Sequence, residues 1–245
     1  MRYSPFYPFL FAIFFALSCN SFYKTERIQY SSYKVQQNQV ENTSLTPVIK
    51  PYSDSVNRLM NVVIGYNEAE LERKKGGNTL GFLITDAYLE MARQKSGVKV
   101  DAAFMNSGGI RLPDLPAGPI TQGKIFELMP FDNLMVLLKL KGSLLKEYLD
   151  TLAATEGVIA SGLTMKIINK TPQEILVGNK SLDLNGEYTI VHSDYVVMNS
   201  NLLKKLERKT NGYLLRDAII DYIKLVNNQN KKVTVSNIDR VSYVN

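Results

Sequence analysis

The stretch AAFMNSGGIR, residues 102–111, passes from a short apolar run into a polar turn with two adjacent glycines. The run at 102–105 is apolar throughout, which is typical of a buried strand. Gly108 and Gly109 allow backbone dihedral angles that other residues avoid, so the turn after the strand can approach a ligand closely. Arg111 would then project beside the turn with directional hydrogen-bond donors. Taken alone, the local sequence favours an ordinary turn with a solvated arginine.

Segments with helical and strand-like patterns alternate on both sides of this stretch. The clearest helix lies at 79–94, where apolar residues recur three and four positions apart and Gly97 follows as a C-terminal glycine. Further helices are predicted at 54–60, 122–128, 142–154, 202–208 and 213–226. Strands are predicted at 61–66, 102–105, 120–121, 133–140, 162–168, 174–177, 188–192 and 233–235. The mixture of hairpin-like and crossover connections predicts an α+β fold in a single domain over residues 53–245.

The N-terminal segment has the pattern of an export signal. The apolar run FYPFLFAIFFAL at 6–17 follows Arg2 and is too short to span a bilayer as a helix, which favours a signal peptide over residues 1–18. The sequence ALSC that ends at Cys19 resembles the lipobox of bacterial lipoproteins, and Cys19 is the only cysteine of the chain. Residues 19–52 are then expected to form a flexible tether, so the chain would be exported and lipid-anchored at the bacterial cell envelope. The alternative is a signal peptide that is cleaved elsewhere and a free Cys19.

Charge and histidine content limit the classes of function. The chain carries 29 basic and 23 acidic residues, a net charge of +6, and the lysines are spread along it. This distribution argues weakly for an acidic ligand and argues against nucleic acid as a partner. The single histidine, His192, lies in a predicted strand beside Val191, where a structural role is the expected one.

Several motifs, in their order along the chain, resemble the C-terminal domain of the 5'-nucleotidases. They are NSGGIR at 106–111, GPIT at 118–121, MPFDNLMVLLKLKGSLLKEYL at 129–149 and YTIVHSDYV at 188–196, and LGFLITDAYLEMA at 80–92 resembles the helix that opens that domain. The resemblance implies a mixed-sheet α+β fold. In that family an N-terminal metallophosphoesterase domain holds two divalent metals and performs the hydrolysis, while the C-terminal domain binds the nucleoside. This chain carries only the second domain, and its single histidine cannot supply a site for two metals that draws on several histidine, aspartate and asparagine ligands. No metal or cofactor is therefore expected in this chain, and the isolated chain is expected to be catalytically inactive.

The resemblance also implies a set of substrate-binding residues. Asn106 would hydrogen-bond the base beside Gly108 and Gly109, and Arg111 would contact the ribose or the edge of the nucleotide. Phe131 and Tyr195 would sandwich the base, and Asn133 would hydrogen-bond its edge.

The chain departs from the family pattern at two places. Asn201, in MNSNLL at 198–203, stands where the family has an aspartate for the ribose hydroxyls, within a run that has lost its glycines. Arg73 stands near the place of a family arginine, in an uncertain register. These departures predict nucleoside binding that is weakened, altered or lost.

Three functions stay open at this point. The favoured one is the nucleoside- or nucleotide-binding part of a 5'-nucleotidase-like phosphohydrolase in nucleotide catabolism, working with a separate metallophosphoesterase that supplies both divalent metals. The second is a stand-alone envelope lipoprotein that binds nucleosides or nucleotides without a catalytic role. The third is a structural envelope protein that keeps only the fold.

Overall fold

A computed structural model of the chain describes residues 44–74, 78–155, 157–236 and 239–244. Cys19, the predicted signal peptide and most of the predicted tether lie outside these residues. The chain divides into two units, Met1–Pro47 and Val48–Asn245. Apart from the first turn of one helix, everything described below belongs to the second unit.

The described residues hold six helices. They are α1 (Thr46–Met60), α2 (Thr79–Ser96), α3 (Gln122–Leu128), α4 (Gly142–Ala154), α5 (Asp194–Asn199) and α6 (Leu215–Asn228). The strands are β1 (Val63–Asn67), β2 (Leu71–Glu72), β3 (Ala102–Phe104), β4 (Asp114–Leu115), β5 (Gly118–Thr121), β6 (Met135–Lys141), β7 (Ala160–Ser161), β8 (Leu163–Ile168), β9 (Thr171–Val177), β10 (Lys180–Ser181), β11 (Glu187–Ser193), β12 (Arg208–Lys209) and β13 (Val241–Val244).

The central sheet has five strands in the order β12-β6-β11-β3-β7. Strand β11 runs parallel to β3, with Val191 opposite Ala103, and antiparallel to β6, with Ser193 opposite Met135. The carboxyl ends of β3 and β11 and the amino end of β6 therefore lie at one edge of the sheet. The segments that leave or enter the sheet there carry most of the predicted binding residues.

A second sheet of four strands has the order β10-β9-β8-β13, and two small two-stranded sheets pair β1 with β5 and β2 with β4. Strand β13 is parallel to β8, whereas β8 and β9 are antiparallel. Both larger sheets thus mix parallel and antiparallel pairs beside separate helices. The predicted mixed-sheet α+β fold is confirmed.

The helix α2 forms the centre of the core. It packs against α6, β3 and β7, and most of its residues are buried. Asn78 caps its amino end by accepting a hydrogen bond from the Gly81 amide at 2.7 Å. Gly97 ends it in the left-handed conformation, with φ of 66°, as the sequence predicts. The helix is therefore held at both ends as well as along its apolar face.

Two predicted elements near the C-terminus are wrong. The predicted helix at 202–208 is a turn followed by β12, because Arg208 and Lys209 pair with β6 and extend the central sheet. The predicted strand at 233–235 is reduced to one isolated bridge between Val233 and Asn67. The last strand is instead β13, which pairs with β8.

The helix α1 begins earlier than predicted. It starts at Thr46 instead of residue 54, so residues 46–52, assigned to the tether from sequence, are helical even though Pro51 lies inside the helix. None of its residues is buried, and its large apolar side chains are exposed. Among the helices of the described ranges, none is long and apolar enough to cross a membrane.

Candidate functional site

Three segments meet at the edge of the central sheet defined above. They are the loop 106–111 after β3, the segment 129–134 before β6 and the start of α5 after β11. Seven of the eight predicted binding residues lie on these segments: Asn106, Gly108, Gly109, Arg111, Phe131, Asn133 and Tyr195. The sheet register thus brings together residues that are far apart in the chain.

The loop after β3 contains a short 3-10 turn, Ser107–Gly109. The Gly109 amide donates to the Asn106 carbonyl at 3.1 Å. Neither Gly108 nor Gly109 has a positive φ, so the predicted need for glycine's backbone freedom is wrong. Space is limited at Gly109, because a Cβ there would lie 2.3 Å from Met105 Cε, the flexible end of that side chain, and 3.2 Å from Asn106 Oδ1. At the exposed Gly108 a Cβ would be 3.6 Å from its nearest neighbour, Asn106 Nδ2, which is ordinary contact.

Arg111 joins this loop to the segment before β6. Its backbone amide donates to the Leu128 carbonyl at 3.0 Å, and its guanidinium donates to the Gly108 carbonyl at 3.4 Å. The guanidinium carbon lies 5.5 Å from the centre of the Phe131 ring, within the range of a cation–π interaction. Two residues that were predicted to bind the same ligand are therefore in direct contact.

Arg73 also reaches the loop. Its guanidinium donates to the Ile110 carbonyl, and its amide donates to the Pro113 carbonyl at 2.8 Å. Arg73 is exposed and supports the backbone beside Arg111. The arginine of uncertain register thus lies next to the candidate site, with its side chain engaged by the loop itself.

Tyr195 is linked to the Phe131 segment through its neighbour Asp194. The Asp194 amide donates to the Leu134 carbonyl at 3.0 Å, and the Leu134 amide donates to Asp194 Oδ1, also at 3.0 Å. This reciprocal pair ties the first residue of α5 to the residue that follows Asn133. Tyr195 is 59% exposed and Phe131 is 38% exposed, so neither ring is committed to the core.

The start of α5 carries a second exposed apolar side chain besides Tyr195. Met198, one turn after Tyr195 on α5, is also exposed. Neighbouring exposed apolar groups of this size are typical of a binding surface, because burying them against a ligand or partner removes apolar area from water. The site is an open surface on the described residues, and a flat apolar ligand fits its chemistry.

Asn201 is the eighth predicted binding residue, and it lies outside the three segments. It occupies the turn that follows α5, where its side-chain oxygen accepts a hydrogen bond from Lys204 Nζ at 2.7 Å. The neutral amide therefore has an ammonium group beside it. Polar donors for hydroxyl or phosphate oxygens are available at this turn.

Arg216 was missed in the sequence and contacts the Phe131 segment from inside the protein. It is 7% exposed, and its guanidinium stacks on Phe126 with 4.1 Å between the guanidinium carbon and the ring centre. Nη1 donates to the carbonyls of Met129 and Phe131, each at 3.4 Å, and Nη2 donates to Asp132 Oδ1 at 2.5 Å. The signal was present, since Arg216 is a charged residue on the apolar face of a helix.

His192 is structural, as its position in the sequence predicts. It is 1% exposed, its Nδ1 accepts from the Ser193 amide at 2.7 Å, and its Nε2 lies 2.7 Å from the Tyr148 hydroxyl. Its ring also stacks on Phe104. Burial lowers the pKa of the imidazole from 6.5 to about 3, so the ring is neutral. In the described ranges, no three His, Cys, Asp or Glu side chains are grouped so as to hold a metal ion.

A groove lies elsewhere on the described residues. The groove, of about 870 Å³, runs between α4, β8 and β9, lined among others by Lys146, Lys166 and Glu174. None of the predicted binding residues lines it. Phe131, Tyr195 and Arg111 therefore lie outside this groove.

Comparisons with known proteins give a consistent family. The family model described as "5'-nucleotidase, C-terminal domain" matches residues 56–208, a range that contains every predicted binding residue. A 5'-nucleotidase of Vibrio parahaemolyticus is 26% identical over 203 residues, which cover 77% of this chain and 35% of the relative. The crystal structure of a 5'-nucleotidase precursor from Thermus thermophilus matches with a TM-score of 0.71 and 26% identity, over 84% of this chain and 44% of that one.

A further structural neighbour supports the fold alone. The NAD nucleotidase of Haemophilus influenzae has a TM-score of 0.62 at 17% identity, over 82% of this chain and 41% of that one. The chain spans about a third of the length of the Vibrio relative, and less than half of either solved structure.

Proposed function

The chain belongs to the 5'-nucleotidase C-terminal domain family, and from that membership we propose that it is the nucleoside- or nucleotide-binding part of a 5'-nucleotidase-like phosphohydrolase. One observation carries this proposal. Arg111 lies over the exposed Phe131 ring at the sheet edge where Asn106, Asn133 and Tyr195 also lie. This combination offers an aromatic surface for a base and polar donors for the rest of the ligand.

The binding role of each residue follows from its chemistry. A base would stack between Phe131 and Tyr195, and stacking on an aromatic side chain contributes about 1–3 kcal/mol per base. The amides of Asn106 and Asn133 can each donate and accept, as the edge of a base requires. Arg111 supplies fixed donors for the ribose or the edge of the nucleotide.

The ribose contact differs from the family pattern. Asn201 can hydrogen-bond a hydroxyl but lacks the charge of the family aspartate, and Lys204 is already bound to it. The pair of Asn201 and Lys204 carries the positive charge of the lysine, at the place where the family has the negative charge of an aspartate. We expect phosphorylated ligands to bind more tightly than the free nucleoside for this reason.

Hydrolysis itself is proposed to belong to a partner. A separate metallophosphoesterase would hold two divalent metals, which supply Lewis acidity for cleavage of the phosphate ester. The residues of this chain would bind and orient the nucleotide so that its phosphate reaches the partner. The open position of Phe131 and Tyr195 supports this arrangement, because a second surface can cover the bound ligand.

The proposal is tested by calorimetric titration of the full chain with AMP and with adenosine. Saturable binding is expected, and Arg111→Ala and Phe131→Ala should each weaken it. Matched controls are Arg93→Ala and Tyr52→Ala, since Arg93 and Tyr52 are exposed on α2 and α1, outside the three segments. Absence of binding by a chain whose circular dichroism shows it to be folded would refute the proposal and favour a structural envelope protein.

A stand-alone nucleoside-binding lipoprotein is the second candidate. The burial of His192, the single histidine, is compatible with both candidates, because neither needs a metal ligand on this chain. Both candidates predict AMP binding. The two candidates are distinguished by mixing the chain with a metallophosphoesterase whose gene lies beside its own. A rate of AMP hydrolysis that rises on mixing supports the partner, whereas an unchanged rate supports the stand-alone binder.

The localisation is proposed on the sequence pattern at Cys19. We propose that the chain is exported and anchored through lipid on Cys19 at the bacterial cell envelope, which would place the binding site near a membrane. Labelling of cells with radioactive palmitate should mark the wild-type chain and leave Cys19→Ser unmarked. Equal labelling of both chains would contradict the lipid anchor.

A further inference from the structure

The Phe131 ring needs something other than core packing to fix its position. The side chain is more than a third exposed, at 38%, and residues 129–133 belong to no helix or strand. An exposed ring on irregular backbone samples several positions unless the backbone below it is held. The contacts of the main chain between α3 and β6 therefore decide where the ring stands.

The start of α6 contacts alternate carbonyls of this segment. Arg216 Nη1 donates to the carbonyls of Met129 and Phe131, and the Leu215 amide donates to the carbonyl of Asn133 at 2.9 Å. Arg216 Nη2 adds the Asp132 carboxylate, whose side chain is 77% exposed. Every residue of 129–133 except Pro130 is thus held by one of two consecutive residues of α6.

An arginine suits this arrangement better than any other side chain. Its planar fork presents several donors at fixed angles, so one guanidinium can bind two carbonyls and a carboxylate together. Stacking on Phe126 fixes the plane of the fork. Because the guanidinium is buried, its donors have little water to turn to if the segment moves away, which makes the segment costly to displace.

We infer that Arg216 is a positioning residue for the candidate site: its guanidinium holds residues 129–132 from inside the protein and so keeps the Phe131 ring where a base can stack on it. The inference rests on the proposed nucleoside-binding function. Arg111, which is exposed, contacts the same ring, with its guanidinium carbon 5.5 Å from the ring centre. In this arrangement Arg111 contacts the ring and would contact the ligand, whereas Arg216 holds the backbone that carries the ring.

The experiment uses a tryptophan at the ring itself. The chain contains no tryptophan, so Phe131→Trp in the full chain introduces a single fluorescent reporter that can still stack on a base. Its emission maximum, anisotropy and quenching by acrylamide report the position and freedom of the ring without any ligand. Quenching of the same fluorescence by AMP then gives the dissociation constant.

Arg216→Met in this background removes the fork and keeps an apolar side chain of similar length. We expect lower anisotropy and stronger acrylamide quenching of the introduced tryptophan, with AMP affinity weakened at least about fivefold, the low end of the loss of one base stack. Arg216→Lys keeps the charge without the planar fork and should show the same direction of change. It also serves as the second variant if Arg216→Met does not fold.

The matched control is Arg240→Met. Arg240 is similarly buried, at 6% exposure, stacks on Phe82 at 4.8 Å and pairs with the Asp86 carboxylate. Its loss should lower stability as much while leaving the reporter and the AMP affinity unchanged. A general loss of stability is thereby distinguished from a loss of ring position.

The inference and the proposed function fail in different ways. If folded Arg216→Met and Arg216→Lys show the parent's anisotropy, quenching and AMP affinity, Arg216 does not position the ring and the inference is overturned. If AMP leaves the reporter unchanged in the Phe131→Trp parent, the proposed function fails. The measurements without ligand still show in that case whether Arg216 holds residue 131.

Discussion

Tyr195 and Phe131 would contribute to binding through their ring faces and not through polar groups. Tyr195 is 59% exposed, and its backbone, not its ring, is tied into the site by α5. Tyr195→Phe should therefore keep AMP affinity within about twofold, whereas Tyr195→Ala should weaken it by about 1–3 kcal/mol, the value of one stacked base. Titration calorimetry of both variants measures the difference. Equal losses would show that the hydroxyl, and not the face of the ring, binds the ligand.

His192 makes the stability of the fold depend on pH in a range where few other groups titrate. Burial lowers its pKa from 6.5 to about 3 in the folded chain, while the unfolded chain keeps an ordinary value. Between pH 6.5 and about pH 3 the imidazole is protonated in the unfolded chain and neutral in the folded chain. The free energy of unfolding therefore falls as the pH falls below 6.5. The free energy of unfolding should be about 1.4 kcal/mol lower at pH 5.5 than at pH 7.5.

Urea unfolding at the two pH values measures this difference. His192→Gln provides the control, because an amide can hydrogen-bond the Tyr148 hydroxyl and does not titrate. Its unfolding free energy should change much less between the two values. A wild-type chain with the same stability at both would contradict a buried neutral imidazole.

At the scale of the element, the loop after β3 depends on one of its two glycines. A Cβ at Gly109 would lie 2.3 Å from Met105 Cε and would also press on Asn106, whereas Gly108 has room for it. Gly109→Ala should lower the unfolding free energy by about 1 kcal/mol, the low end for overpacking, because Met105 Cε can shift; the pressure on Asn106 should weaken AMP binding. Gly108→Ala should change stability by less than about 0.5 kcal/mol.

Chemical unfolding and calorimetric titration of the two variants test this contrast. Gly108→Ala is the matched control, since it adds the same methyl group to the next residue of the same turn. Equal effects of both substitutions would contradict the difference in available space between the two positions.

The helix α1 contributes its apolar face to the surface and not to the core. Val56 is 53% exposed, whereas Leu83 on α2 is fully buried. Val56→Ser should therefore change the unfolding free energy by less than about 0.5 kcal/mol. Leu83→Ala, the control for a core position, should cost about 2–5 kcal/mol. Urea unfolding of both variants checks the prediction, and a loss of several kcal/mol at Val56 would show that α1 is buried in the folded chain.

Elements with a sustained period could be predicted from the sequence, and elements made by tertiary pairing could not. The helix α2 has apolar residues at helical spacing along its length and a glycine at its end, and both features reappear in the structure. The strand β12 consists of Arg208 and Lys209, both exposed, and is a strand only because β6 lies beside it. The helix α5 is six residues long, too short for a helical period to be recognised.

In the candidate site too, some residues could be identified from the sequence, whereas the contacts between them depend on the tertiary structure. Phe131, Asn133 and Tyr195 were identified through resemblance to a family, since each is locally an ordinary residue. The contact between Arg111 and Phe131 depends on the hydrogen bond from the Arg111 amide to Leu128, which no local pattern encodes. Arg216 could have been noticed as a charge on an apolar helix face, but its partners lie more than eighty residues away in the chain.

At the scale of the whole molecule, the topology of one sheet assembles the site. Strand β11 lies between β3 and β6, parallel to the first and antiparallel to the second. Only this combination places the end of β3, the end of β11 and the start of β6 at one edge. The site is therefore a property of the complete central sheet, and it should be lost together with the fold and not before it.

The last prediction concerns what the whole chain does with a bound nucleotide. Metal-assisted cleavage of a phosphate ester needs side chains that hold the metals beside the substrate, and histidines are their usual nitrogen ligands. The one histidine of this chain is buried and neutral, with both ring nitrogens engaged inside the core. We therefore expect the full chain to bind AMP and to release no phosphate from it when Mn²⁺, Mg²⁺ or Zn²⁺ is added.

Phosphate release measured beside a complete 5'-nucleotidase, such as the Vibrio relative, tests this expectation under conditions known to support the reaction. Binding without release is the outcome that a substrate-binding part requires, and it would direct the search to the protein that carries the metals. Metal-dependent release that follows the purified chain through gel filtration and disappears in Arg111→Ala would refute the division of labour. Because Arg111 binds ligand and holds no metal in the proposal, its loss would remove such activity only if binding and cleavage occur on this one chain.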